Sequence, residues 1–300
     1  MNSTKSTDAN ASDQPPAAAS GRRSPWLVYV VPFVVYLGLT QLEPAPPEKL
    51  QDSAATPAAV AAQQADVTAP NGPAETPEPD KPATEPAAAK VEKGFLGLEY
   101  RHYPLVYTLK IALTFGIMLL AWPGYREVPF RVTLLALVIG AVGAPIWIGL
   151  CRVETSLLPA LGLDWLGDTS ARTGFNPLKE LADNPAWAYG FLAIRFFGLV
   201  VVVAVIEEFF LRGFLIRFLM RGDWWNVPLG TATPFALLAM TIAAALSHPP
   251  SEYLAAVVWF SLVSWLMLKT KSLWDCVIAH GVTNLLLGLY VVFSGSWELM

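Results

Sequence analysis

Glu207, Glu208 and Arg212 fall in the run Val-Val-Val-Ala-Val-Ile-Glu-Glu-Phe-Phe-Leu-Arg-Gly-Phe over residues 201–214. Two adjacent carboxylates thus interrupt an otherwise apolar helix. On a translocon scale each charge near the centre of a membrane helix costs roughly 2.5–3.5 kcal/mol, and a charge that persists there is read as functional by default. Residues four apart share a helix face, so Glu208 and Arg212 can pair. Glu207 is turned about 100° from Glu208 and has no such partner in its own helix. One carboxylate then serves structure while the other is left to act. Desolvation disfavours the charged form of a carboxylate, and a carboxyl group tuned in that way suits general-base work near neutral pH. A cluster of charges snorkelling from a helix end is the plainer alternative.

The chain has three histidines. His102 lies beside Tyr103 at the start of an apolar run and reads as interfacial. His248 closes the segment Thr-Ile-Ala-Ala-Ala-Leu-Ser-His over residues 241–248, and Pro249 and Pro250 end that helix. His280 and Asn284 share a helix face within an apolar stretch. A lone membrane histidine is often only an interhelical hydrogen-bond partner. A carboxylate, two imidazoles and an amide together can activate a water and hold an oxyanion. The set Glu207, His248 and His280 could also bind zinc. The helical HExxH pattern is absent, so no cofactor is expected and zinc ranks second. A serine mechanism is weaker still: Ser247 and His248 are sequence neighbours, and no GxSxG turn exists.

Something must position these residues, and the composition says what. Apolar residues make up 54% of the chain and charged residues 15%, against about 25% charged in a soluble domain. A net charge of −4 argues against a basic nucleic-acid binder. Two cysteines, Cys151 and Cys276, exclude a disulfide scaffold. The apolar residues gather in blocks at 26–42, 105–122, 132–150, 187–219, 233–248, 252–268 and 273–293. About 20 such residues cross a bilayer as a helix, and the blocks at 233–248 and 252–268 are marginal. The expected fold is an all-α polytopic membrane bundle of about seven transmembrane helices. Its organisation is a polar cytoplasmic arm at 1–25, a membrane anchor at 26–42, a linker at 43–103, a helical domain at 104–293 and a tail at 294–300. The linker is Ala- and Pro-rich and acidic, with no aromatic residue from Glu43 to Lys93, a composition that stays disordered. The anchor reads as uncleaved, with a secretory signal as its alternative. Basic residues place the N-terminus in the cytoplasm: Arg22, Arg23, Arg126, Arg131, Arg221, Lys269 and Lys271 would all lie inside.

The pattern Glu207-Glu208-x-x-x-Arg212, a later histidine, then His280-x-x-x-Asn284 resembles the CPBP family of intramembrane proteases. That family includes type II CAAX prenyl endopeptidases and bacteriocin-processing or self-immunity relatives. The likeness covers roughly residues 105–293. It implies that Glu207 activates water, that His248 assists, that His280 and Asn284 hold the oxyanion, and that Glu208 and Arg212 shape the site. The family usually carries Phe four residues before its middle histidine, where this chain has Ala244. The apolar core also resembles a bacterial subgroup found alongside exosortase surface-protein sorting systems.

The resemblance implies an intramembrane endopeptidase of a bacterial inner membrane, acting on a membrane-embedded or membrane-anchored protein or peptide, with the lipid bilayer as its other partner. A proton-coupled transporter would use the same buried charges, although no inverted repeat is visible. A non-catalytic membrane partner of a sorting system would keep the fold without the chemistry. One geometric demand follows from all this. Helix counting puts His248 at the outer end of its segment and His280 about 12 Å in from the inner end of its own. Sharing one site requires the segment 233–248 to stop at mid-depth, which irregular backbone can do only where it lines a water-filled cavity.

Overall fold

A computed structural model describes residues 24–44, 98–163 and 174–300 of the chain. The arm at 1–23, most of the linker (45–97) and residues 164–173 of the loop after the third apolar block lie outside the described residues. Every regular element among the described residues is helical. Apart from a four-residue helix at Pro177–Glu180 and short 3-10 turns, they are in chain order α1 (Pro25–Tyr29), α2 (Val31–Thr40), α3 (Tyr103–Tyr125), α4 (Leu134–Ala160), α5 (Pro185–Phe218), α6 (Pro234–Leu246), α7 (Tyr253–Thr270) and α8 (Leu273–Ser294).

Hydropathy marks where such helices run, and short polar residues decide where they begin. Thr133 and Thr233 each accept a hydrogen bond from the amide three residues on, at 3.4 and 3.2 Å, and so cap α4 and α6. Ser272 caps α8 by accepting from the Asp275 amide at 3.2 Å. The Asp275 carboxylate reaches back to the Thr133 amide at 2.7 Å, which ties the starts of α4 and α8 together.

Each of the seven apolar blocks contains helix, and among the described residues five helices are long and apolar enough to cross a membrane. They are α3 and α7, each with a leading 3-10 turn, together with α4, α5 and α8. The other two of the seven expected segments are shorter apolar helices. α2 has 10 residues and α6 has 13, or about 15 and 20 Å of rise, against a hydrocarbon core of about 30 Å. Interruption at Val30 shortens the first, and the Pro249-Pro250 pair follows the end of the second. The block at 252–268 is longer than its hydropathy implied, because the helix runs from Pro250 to Thr270, 21 residues. Tyr100–His102 forms a 3-10 turn leading into α3, and the Tyr100 ring packs on Phe175 with centroids 5.5 Å apart.

α8 is the hub, packed against α4, α5 and α7. Two glycines let it sit deep. A Cβ on Gly140 of α4 would stand 2.7 Å from the Ala279 carbonyl, and one on Gly281 would stand 2.8 Å from the Val200 carbonyl of α5. Without apolar-to-water transfer as a driving force, membrane helices gain their cohesion from such close approach. These two contacts flank His280 on either side, so the packing that seats α8 also sets the position of its imidazole. Thr283 adds a hydrogen bond to the Gly140 carbonyl at 2.8 Å.

Candidate active site

α5 is not a regular α-helix along its 34 residues. Gly198–Val203 and Phe209–Leu215 are π-helical turns, and Ala204–Glu208 between them is α-helical. Wide turns of this kind are rare and concentrate at functional sites. The two glutamates sit at the junction. Arg212 Nη1 donates to Glu208 Oε2 at 2.5 Å, with both side chains wholly buried. Arg212 Nη2 also donates to the Phe260 carbonyl at 2.9 Å. The other Glu208 oxygen, Oε1, accepts from His280 Nδ1 at 2.9 Å. A carboxylate only accepts, so Nδ1 carries the proton in this arrangement. His280 Nε2 is then the ring atom turned to Glu207, 4.0 Å from Oε2.

Glu207 differs from the buried acids Glu154, Asp275 and Glu208. Glu154 accepts the Leu254 amide at 3.0 Å and caps the start of α7. Asp275 caps through Thr133. Glu208 is held by Arg212 and His280. The Glu207 side chain keeps 17% exposure and, among the described residues, meets no cation closer than the His280 ring. It opens instead onto a cavity of about 330 Å³, the size range of small-molecule and peptide-side-chain sites.

His248, His280 and Asn284 line the same cavity. α6 has only 13 residues, and His248, two residues past its end, lines the cavity. Its Nδ1 donates to the Ala244 carbonyl at 2.8 Å, which leaves Nε2 for the cavity. Its ring stands 5.4 Å from both Trp147 and Phe260, and Phe260 also faces the His280 ring, at 6.4 Å. The two imidazoles therefore flank one aromatic ring. Ala244, where the resembled family has Phe, is itself buried and serves His248 through its backbone. Asn284 Nδ2 donates to the Leu199 carbonyl, in the first π turn, at 2.9 Å. An amide nitrogen has two hydrogens, so a second remains to be donated. Among the described residues no group of three His, Cys, Asp or Glu side chains is placed to hold a metal ion. His102 lies outside the cavity lining, and Ser247 lies within it, donating to the Ala244 carbonyl at 2.7 Å.

Sequence reasoning passed over several charged residues. Lys110, Arg195 and Glu43 also line the cavity. Lys110 is buried in the middle of α3, and the rule that flagged Glu207 would have flagged it too. Arg195 donates to the Phe175 and Met300 carbonyls at 2.8 and 2.5 Å, tying loop and tail to α5.

Residues 189–286 match the family model described as Rce1-like, type II CAAX prenyl endopeptidase Rce1-like. That stretch begins in α5 and ends in α8, and it contains Glu207, Glu208, Arg212, His248, His280 and Asn284. The chain thus carries an Rce1-like domain, consistent with a CPBP-family protease, in a multi-pass membrane protein. Neither the curated proteins nor the solved structures compared with it contain a match.

Proposed function

We propose that this protein is an intramembrane endopeptidase in which Glu207 activates the water that cuts the peptide bond. The observation that carries the reading is Glu207 itself: a carboxylate without a hydrogen-bonded cation, opening on a cavity that both histidines and Asn284 share. Glu207 takes the proton from a water that His248 Nε2 helps to orient. The resulting hydroxide attacks the carbonyl carbon. His280 Nε2, when protonated, and the second Asn284 N–H donate to the oxyanion that forms. Glu208 holds the His280 ring through Nδ1 and stabilises its positive charge, and Arg212 fixes Glu208 in turn. Collapse of the tetrahedral intermediate breaks the C–N bond, and the proton held by Glu207 goes to the departing amine. No step requires a metal ion or other cofactor.

The substrate is a membrane-embedded or membrane-anchored protein or peptide, with or without a lipid modification. The setting we infer is a bacterial inner membrane with the N-terminus cytoplasmic. An exosortase-type sorting system is the partner implied by the likeness of the apolar core. The test is membrane proteomics of cells carrying the native protein against Glu207→Gln. We expect one or more precursors to accumulate uncut while the variant inserts at normal levels. Unchanged processing in the variant would remove Glu207 from the chemistry.

A further inference from the structure

Several parts of the cavity lining lie outside the matched residues 189–286, and α2 is one of them. Phe33, Tyr36, Leu37, Thr40 and Glu43 all line the cavity. Steps of three, one and three residues put the first four on one face of α2, and Glu43 follows just past its end, so this face forms a wall of the cavity onto which Glu207 opens.

The two halves of this N-terminal segment are held in different ways. α1 is fixed by shape. Val28 is buried on Gly124, where a Cβ would come within 2.2 Å of it. The Tyr29 ring lies 5.4 Å from both Phe209 and Trp224. That grip reaches Phe33, stacked on Phe210 at 4.2 Å. Beyond it the hold loosens: Val34 and Leu37 are exposed, and no atom lies within 4 Å of where a Cβ on Gly38 would stand. The far end is secured by charge. Lys110 Nζ meets Glu43 Oε1 at 2.5 Å and Thr40 Oγ1 at 3.3 Å. The same ammonium sits 4.3 and 4.8 Å from the ring centres of Tyr36 and Tyr107, within cation–π range. Between the two halves the helix is interrupted at Val30, with φ −120° and ψ −50°. Hinges are typically such element-terminal positions.

We propose that α2 is a gate, hinged at Val30 and latched by Glu43 on Lys110, which must move aside before a substrate reaches Glu207. A buried ion pair suits a latch, because removal of one partner leaves an uncompensated charge that favours the alternative state. The inference rests on the cavity being the place of cleavage, but its test reads access rather than cleavage, so the two can fail separately.

The probe is a thiol at Val203, one turn before Glu207 on α5, buried and lining the cavity. Val203→Cys in lipid nanodiscs is timed with a water-soluble maleimide, using the protein without that substitution as background, since Cys151 and Cys276 are both buried. Added Glu43→Gln should speed labelling by about tenfold or more. The exchanged pair, Glu43→Lys with Lys110→Glu, should restore the slow rate. Equal rates with and without Glu43→Gln, or an exchanged pair as fast as the single variant, would overturn the gate. Hydrogen exchange on the unsubstituted protein covers the case in which a variant does not fold. Amides of residues 34–43 should exchange ahead of those of residues 26–30, and equal protection of the two halves would also overturn it.

Discussion

Replacing Arg212 by Met removes one half of an ion pair whose two side chains are 0% exposed. Solvent screening gives no discount at such a position. Methionine keeps most of the volume and the flexible stem, so packing changes little. What changes is that Glu208 Oε2 loses its donor at 2.5 Å, and the Phe260 carbonyl loses one at 2.9 Å. Stranding one member of a buried pair costs about 3–5 kcal/mol. For a folded region of this size each kcal/mol moves Tm by roughly 2–4 °C, so the expected fall is about 6–20 °C. The assay is thermal unfolding in mild detergent, followed by the fluorescence of the chain's 11 tryptophans. The decisive measurement is the double variant Arg212→Met with Glu208→Gln. If the cost arises from an unpaired buried carboxylate, neutralising that carboxylate should return at least about 1 kcal/mol of it, within the usual range of coupling between contacting residues. A single variant that melts within about 3 °C of the parent, or two single costs that merely add, would refute the reasoning.

Other outcomes follow from the same geometry. Asn284→Ala should lower turnover about 10²–10³-fold, the usual cost of one oxyanion donor; a change confined to KM would mean the amide binds substrate only in its ground state. Gly281→Leu should destabilise the bundle by about 1–3 kcal/mol, because even its Cβ would sit 2.8 Å from the Val200 carbonyl. Gly38→Ala, with open space at the same distance, serves as its control and should melt no lower than the parent.

Local spacing carried much of the fold and part of the site. Glu208 and Arg212 could be paired on paper because four residues is one helical turn, and the surrounding valines made both carboxylates conspicuous. The helical blocks were legible for the same reason. Three things were not. His280 is 72 residues from Glu208, and no periodicity reports a contact of that range. The π turns of α5 leave hydropathy unchanged, since they alter the rise and twist of the backbone rather than the residues on it. Lys110 stood within an apolar block, yet its partner lies at the far end of the anchor, in a stretch whose composition reads as spacer. Arg195, Glu154 and Asp275 mark another limit: each is a charge in or beside an apolar run, and each satisfies backbone amides or carbonyls rather than performing chemistry. Sequence flags a buried charge, but only the arrangement of its partners separates a cap from a base.

The stretch that matches the family model, residues 189–286, is smaller than the set of helices packed around it. A fragment limited to residues 189–286 would keep all six motif residues and lose α4, whose Gly140 receives α8 and whose Trp147 backs His248. It would also lose the segment that seats Tyr29 against Gly213, where a Cβ would come within 2.5 Å of the ring. Inheritance and cohesion thus draw different borders on this chain. Transplanting the motif into another membrane scaffold would carry the reactive groups without the helices that aim them.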